Sequence, residues 1–133
     1  MSLAHIQKLL DEISSNSLSD LHLTTGLVPY IRQPDGAMVP VVAFGVVSAE
    51  LMREFASYAL PADRRGAWPD EKELDASFTH AGARFRINAY YESRGPSFAI
   101  RRIAQSIPTP AELGISPAFL DLVTKKQGLI LVT

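Results

Sequence analysis

The chain has 133 residues, the size of one ordinary domain, and with 47% hydrophobic and 20% charged side chains it can bury a real core. Thirteen basic against fourteen acidic residues leave a formal charge of −1, so no overall field draws it to nucleic acid or anionic lipid, and any basic site must be local. The lack of cysteine excludes disulfides and thiolate-bound metal; with no leader-type N-terminus and no apolar run of about 18 residues, a soluble cytoplasmic protein is expected.

Ser2 is placed to cap a first helix in which Leu3, Ile6, Leu9, Leu10 and Ile13 recur at helical spacing, with Gln7, Lys8, Asp11 and Glu12 outward. It ends in the polar run Ser14-Ser15-Asn16-Ser17. Leu21 and Leu23 then alternate with Asp20, His22 and Thr24 as a short half-buried strand, broken by Gly26. Val28 to Arg32 reads as a second strand, Pro34-Asp35-Gly36 as a turn and Met38 to Val42 as a third strand, together a small antiparallel meander. Ser48 precedes a second helix with Leu51, Phe55, Tyr58 and Ala59 on one face and Pro61 at its close. A further helical segment, Ala62 to about Glu73, is interrupted by Gly66 and Pro69 and should be short or broken; Trp68 within it reads as a packing anchor.

The densest pattern, Leu74 to Ile103, reads as two long strands joined by a turn. Phe85, Ile87, Ala89 and Tyr91 alternate with Arg84, Arg86, Asn88 and Tyr90, the period of two that gives a sheet one buried and one polar face. Phe98 and Ile100 begin the second run, and Ser93, Arg94, Gly95 and Pro96 form the turn cluster between them. With Tyr91 and Pro96 flanking the turn, Phe85, Ile87 and Ala89 fall opposite Arg102, Ile100 and Phe98, and Arg86 falls opposite Arg101. Facing side chains on antiparallel strands lie about 5 Å apart at Cβ, where like charges destabilise by up to about 1 kcal/mol, so something must compensate. Two compensations are open: a multiply charged oxyanion such as a phosphate group, with Arg84, Arg94 and Arg102 nearby, or a surface carboxylate for each arginine. Asp75 and Ser77 share a strand face at the start of this region, as a turn cap or as functional groups.

Ser106-Ile-Pro-Thr-Pro110 is an extended connection in which Thr109 caps a turn of helix through Glu112 and Leu113, ended by Gly114. Ser116 caps a last helix, Pro117 to Thr124. Gly128 to Thr133 is apolar without alternation, the composition of a strand buried on both faces in a parallel sheet, although the chain offers no βαβ units to build one. The expectation is therefore the front end of a longer protein. His5, His22 and His80 lie on three different elements without ligand spacing, and Asp20 with His22 lacks a supported nucleophile, so neither a metal site nor a hydrolytic triad is expected. No GxxxxGK[ST] or GxGxxG loop occurs, so the chain is not expected to hydrolyse a nucleotide unaided.

Taken together, Ser19-Asp-Leu-His-Leu-Thr24 with Gly26, Pro29, Arg32 and Gly36, Asp75-Ala-Ser-Phe78, Arg84-Phe-Arg-Ile-Asn-Ala89, Arg94-Gly95, Phe98-Ala-Ile-Arg101, Ile107-Pro-Thr109 with Glu112-Leu113-Gly114, and Gly128-Leu-Ile-Leu-Val-Thr133 resemble the N-terminal part of the PilT-type retraction ATPases of type IV pili, members of the secretion ATPase superfamily. The resemblance implies an α/β (α+β) fold: a PAS-like, mostly antiparallel sheet with flanking helices over residues 1–105, a linker with short helices over 106–127, and over 128–133 the first strand of a RecA-like P-loop domain. It implies a homo-hexameric parent enzyme that hydrolyses ATP with Mg2+, acts at the inner membrane through a pilus platform protein, and drives twitching motility without binding nucleic acid. It further implies that Arg86 and Arg101 reach the ATP phosphates when the domains close, with Arg94 at the family's turn arginine; no cofactor is expected on this chain alone. Gln127 stands where the family usually has arginine, and the motifs do not separate PilT from PilU or a related secretion ATPase. A rival reading, a free-standing PAS-type sensor, would need a ligand-sized apolar cavity between sheet and helices.

Overall fold

The computed structural model describes residues 1–16, 18–66, 68–104 and 106–131. Helix α1, Leu3–Ser15, buries Ile6, Leu9, Leu10 and Ile13 and starts at Ser2, whose backbone N–H donates to His5 Nδ1 at 3.1 Å. That bond satisfies a donor at the helix start much as the glutamate of a capping box does. Helix α2, Ala49–Ala59, starts where Ser48 Oγ accepts the Leu51 N–H at 3.1 Å, and it buries Leu51, Met52, Phe55, Ala56 and Ala59. The interrupted segment forms two single turns, α3 (Ala62–Arg65) and α4 (Trp68–Glu71), as the breakers within it require. Trp68 is a packing anchor: its indole N–H donates to the Ala89 carbonyl at 3.1 Å, and its ring lies 4.8 Å from Tyr91 and 5.4 Å from Phe98.

Among the described residues, six antiparallel strands make one sheet in the order β3-β2-β1-β6-β5-β4, with β1 at Asp20–Thr24, β2 at Tyr30–Arg32, β3 at Met38–Pro40, β4 at Glu73–His80, β5 at Ala83–Glu92 and β6 at Gly95–Ile103. The β5–β6 register pairs Phe85 with Arg102, Arg86 with Arg101, Ile87 with Ile100, Ala89 with Phe98 and Tyr91 with Pro96, as the alternation requires. Helices α1 and α2 cover one face of the sheet. There Leu21, Leu23, Leu74, Phe85, Ile87, Phe98 and Ile100 meet Ile6, Leu10 and Phe55, all buried. Phe55 packs edge-on against Phe78 and Phe98 at 6.0 and 5.3 Å, so interlocking rings fill the space between sheet and helices. Each such side chain contributes roughly 1.5–3 kcal/mol by leaving water.

Three expectations change. The stretch from Leu74 to Ile103 holds three strands rather than two, because β4 pairs along its whole length with β5 across a turn at Ala81 and Gly82. Both turn residues have positive φ, 45° and 81°, the twist a two-residue hairpin needs. The third strand stops at Pro40, and Val42–Phe44 instead forms a 3₁₀ turn whose Phe44 ring lies 5.1 Å from His5. At the C-terminal end α5 spans only Pro117–Leu120, followed by a 3₁₀ turn at Asp121–Thr124, and residues 128–131 form no strand. A strand needs a ladder partner, and the six-stranded sheet supplies none there. The remaining expected strand residues, Val132 and Thr133, lie outside the described residues, as do Ser17 of the polar run, Ala67 of the broken helical segment and the domain boundary residue Gln105.

Candidate functional site

Because the helices cover one face, alternation puts the polar side chains of five strands on the other. Asp20 of β1 faces Arg101 of β6, Arg101 faces Arg86 of β5, and Arg86 faces Ser77 of β4. Arg32 at the end of β2 reaches Asp20 from the other side. The next row runs Tyr30, His22, Ala99, Asn88 and Asp75. Ala99 carries only a methyl group between larger neighbours, and a groove of about 400 Å³ opens there, lined by Asp20, His22, Arg32, Asp75, Arg86 and Arg101 among others.

Arg86 and Arg101 stand side by side with a carboxylate each. Arg101 Nε donates to Asp20 Oδ1 at 2.6 Å; Arg86 donates from Nε and a terminal nitrogen to the two oxygens of Asp75 at 3.4 and 3.1 Å. Of the two compensations open for the facing arginines, carboxylates are present in this structure, and the guanidiniums still present roughly two-thirds of their side chains to solvent, 66% and 67%.

The two carboxylates differ. Asp75 is half exposed, whereas the Asp20 side chain is 7% exposed and accepts three donors: Arg101 Nε on Oδ1, and Arg32 Nε (3.1 Å) with the Ser19 hydroxyl (2.7 Å) on Oδ2. Burial alone would raise the Asp20 carboxyl, but the hydrogen bonds from Arg101 and Ser19 and the charges of Arg101 and Arg32 outweigh it and hold the group below its usual range. His22, beside it in the groove, is pushed down chiefly by burial, which Asp20 partly opposes. Asp75 is also held low, first by the hydrogen bonds from Arg86.

The third expected site residue stands apart. Arg94 sits in the β5–β6 turn with its Cδ 3.9 Å from where a Cβ on Gly26 would lie, beyond the Glu92–Gly95 pair that is six register steps, about 20 Å along the strands, from the Arg86–Arg101 pair. Arg84 bonds Ser77 and Thr79 on the open face, and Arg102, opposite Phe85, falls on the helix-covered side. The anchoring role of Asp20 is not legible in the sequence, because its partners Arg32 and Arg101 are 12 and 81 residues away. The available signal was the shared strand face of Arg86 and Arg101, which needed a buried anion on the neighbouring strand.

Among the described residues no group of His, Asp and Glu is arranged to hold a metal ion, and no helix is long and apolar enough to cross a membrane. No protein-family model matches the chain. Over 134 positions it is 34% identical to the type IV pilus retraction ATPase PilT of Pseudomonas aeruginosa, covering 96% of this chain and 37% of that protein. A solved structure of the pilus retraction motor PilT with bound ADP matches with a TM-score of 0.75 at 26% identity, over 96% of this chain and 36% of that one. Nearly the whole chain is thus homologous to a part of PilT. It is also 29% identical to the type IV pilus ATPase PilU of the same organism, over 94% of this chain and 32% of that protein. The sheet and its helices recur in the ATPase DotB of Legionella pneumophila (TM-score 0.70, 14% identity), a likeness of fold alone. The chain thus spans about a third of the length of its PilT and PilU relatives.

Proposed function

We propose that this chain is the N-terminal domain of a hexameric ATPase that powers type IV pilus retraction, and that Arg86 and Arg101 contact the phosphates of ATP when this domain closes over a RecA-like motor domain. The observation that carries the reading is the arginine pair itself: two guanidiniums held side by side by a sheet, exposed, beside a groove of about 400 Å³, in a chain 34% identical to a retraction ATPase. In phosphoryl transfer, charge spreads over the γ-phosphate oxygens, and a guanidinium delivered there by domain closure can raise the rate by roughly 10³–10⁵. The motor domain would supply the Walker A loop and hold Mg2+; this chain would supply the cationic cover. Coupling closure to hydrolysis would turn this domain against its neighbour in the ring and extract pilin at the cytoplasmic side of the inner membrane, through the pilus platform protein. The filled aromatic core favours this reading over a PAS-type sensor, which needs an internal cavity.

The test is Arg86→Ala and Arg101→Ala, separately, in the full-length protein, with ATP turnover and melting temperature both measured. Turnover falling by about a hundredfold or more, with melting of the Arg86 variant unchanged, is the expected result. Normal turnover in both variants ends the reading. Arg94→Ala, remote from the pair, separates a contribution of the turn arginine from that of the groove.

A further inference from the structure

The two arginines that face each other are held in different ways. Asp75 takes Arg86 side-on, through Nε and a terminal nitrogen at once, and both partners are more than half exposed. Asp20 grips Arg101 at Nε, which leaves both terminal nitrogens outside that contact. Asp20 itself cannot swing: it is buried, with Oδ2 fixed by the Ser19 hydroxyl and by Arg32 from the adjoining strand. A guanidinium is a rigid planar fork, so fixing it at Nε sets where the fork points.

We propose that Asp20 is a positioning residue, which anchors Arg101 at Nε and aims its two terminal nitrogens at a phosphate, while Arg86 can engage the same anion fully only by releasing Asp75. The proposal rests on the phosphate reading above and divides the pair into a fixed contact and a recruited one. The fixed contact loses little conformational freedom on binding, which favours affinity; the recruited one must exchange one anion for another. The low exposure of Asp20 matters here, because water competes poorly for a buried, charge-assisted bond of 2.6 Å, whereas the Asp75 pair is open to exchange.

The test uses the 133-residue chain with inorganic tripolyphosphate as probe, reading affinity by titration and arginine order from the side-chain Nε–H signals in NMR. In the wild type the Arg101 signal should be resolved and slow to exchange, and that of Arg86 averaged. Asp20→Asn should lose the ordered Arg101 signal and bind tripolyphosphate about fivefold or more weakly, and Asp75→Asn should bind about two- to fivefold more tightly. Arg101→Lys, which keeps the charge and the pairing with Asp20 but not the fork, should melt as the wild type does and bind as weakly as Asp20→Asn. If Asp20→Asn does not fold, Ser19→Ala loosens the carboxylate with every charge in place and should still blur the Arg101 signal and weaken binding. Wild-type affinity in the folded Asp20 or Ser19 variant, or in Arg101→Lys, overturns the proposal alone. A wild type that does not bind tripolyphosphate, whatever the order of Arg101, removes the phosphate reading and the proposal with it.

Discussion

At the scale of single residues, Asp20 and His22 make a prediction about acid. Both have folded-state values below their ordinary ones: burial drives His22 down, and in Asp20 burial is outweighed by its hydrogen-bonded arginine and serine. In each case the unfolded chain takes up its proton first, so the stabilisation is complete above the unfolded value and is lost as pH falls. The His22 part should decline below about pH 6.5 and the Asp20 part below about pH 3.9. Melting temperature measured from pH 8 to 3 should therefore fall in two stages. Asp20→Asn should be less stable at pH 7 and show a shallower lower stage, the remainder coming from Asp75, which Arg86 also holds low, whereas a melting temperature that rises between pH 6.5 and 5 would contradict the assignment to His22. Neither shift was legible from the sequence. Asp20 and His22 read as alternate members of a polar strand face, and what distinguishes them is the burial and the arginines brought by a strand that begins at Gly95.

At the scale of elements, the two hairpin turns of the β4–β5–β6 unit should respond in opposite ways to changes at glycine and alanine. Gly95 has φ +124°, and a Cβ there would lie 3.3 Å from Thr25 Oγ1, which donates to the Pro96 carbonyl at 2.7 Å. Gly95→Ala meets both a strained backbone and an occupied space, and should cost about 1–3 kcal/mol of unfolding free energy. Ala81, at φ 45°, has the reverse problem: a side chain where glycine would relax. Relief of the left-handed conformation, about 1–2 kcal/mol, less the entropy glycine loses on folding, should leave Ala81→Gly more stable by about 0.5–1 kcal/mol. Urea melts of both variants check the pair, and a stabilised Gly95→Ala would be incompatible with the turn as described. The register of β5 on β6 was legible because period-two alternation on both sides of the Ser93–Arg94 turn admits one pairing that keeps apolar side chains together. The extra strand β4 was harder to see, since Leu74, Ala76 and Phe78 alternate but their turn is Ala-Gly rather than one of the pairs that announce a tight hairpin.

At the scale of the whole molecule, stability should reside in residues 1–104. Every described residue from 106 to 131 is exposed, including Phe119, Leu129 (82%) and Leu131. A chain ending at 104 should melt within a degree or two of the 133-residue chain, because removal of surface that packs on nothing changes little. A drop of about 5 °C or more would reveal packing of the C-terminal segment on the sheet. The apolar composition of residues 128–131 suggested a buried strand, but composition specifies only that a segment can be buried. Whether it pairs depends on a neighbour, and in the chain as described that neighbour is not in the sheet.

The place of β1 in the sheet also sets the order in which the molecule can be assembled. It pairs with β2 a few residues later and with β6, whose Arg101 is 81 residues beyond Asp20. On a ribosome adding about 5–20 residues per second, β1 waits roughly 4–16 seconds before its partner in the strand that completes the sheet exists. Until then the apolar side of β1 has no lasting cover, and closure of so long a loop must precede any gain from the contacts it brings. Refolding of the intact chain should accordingly run on the milliseconds-to-seconds scale of non-local β topologies. During synthesis, the nascent segment up to β3 is the interval in which a chaperone has most to hold.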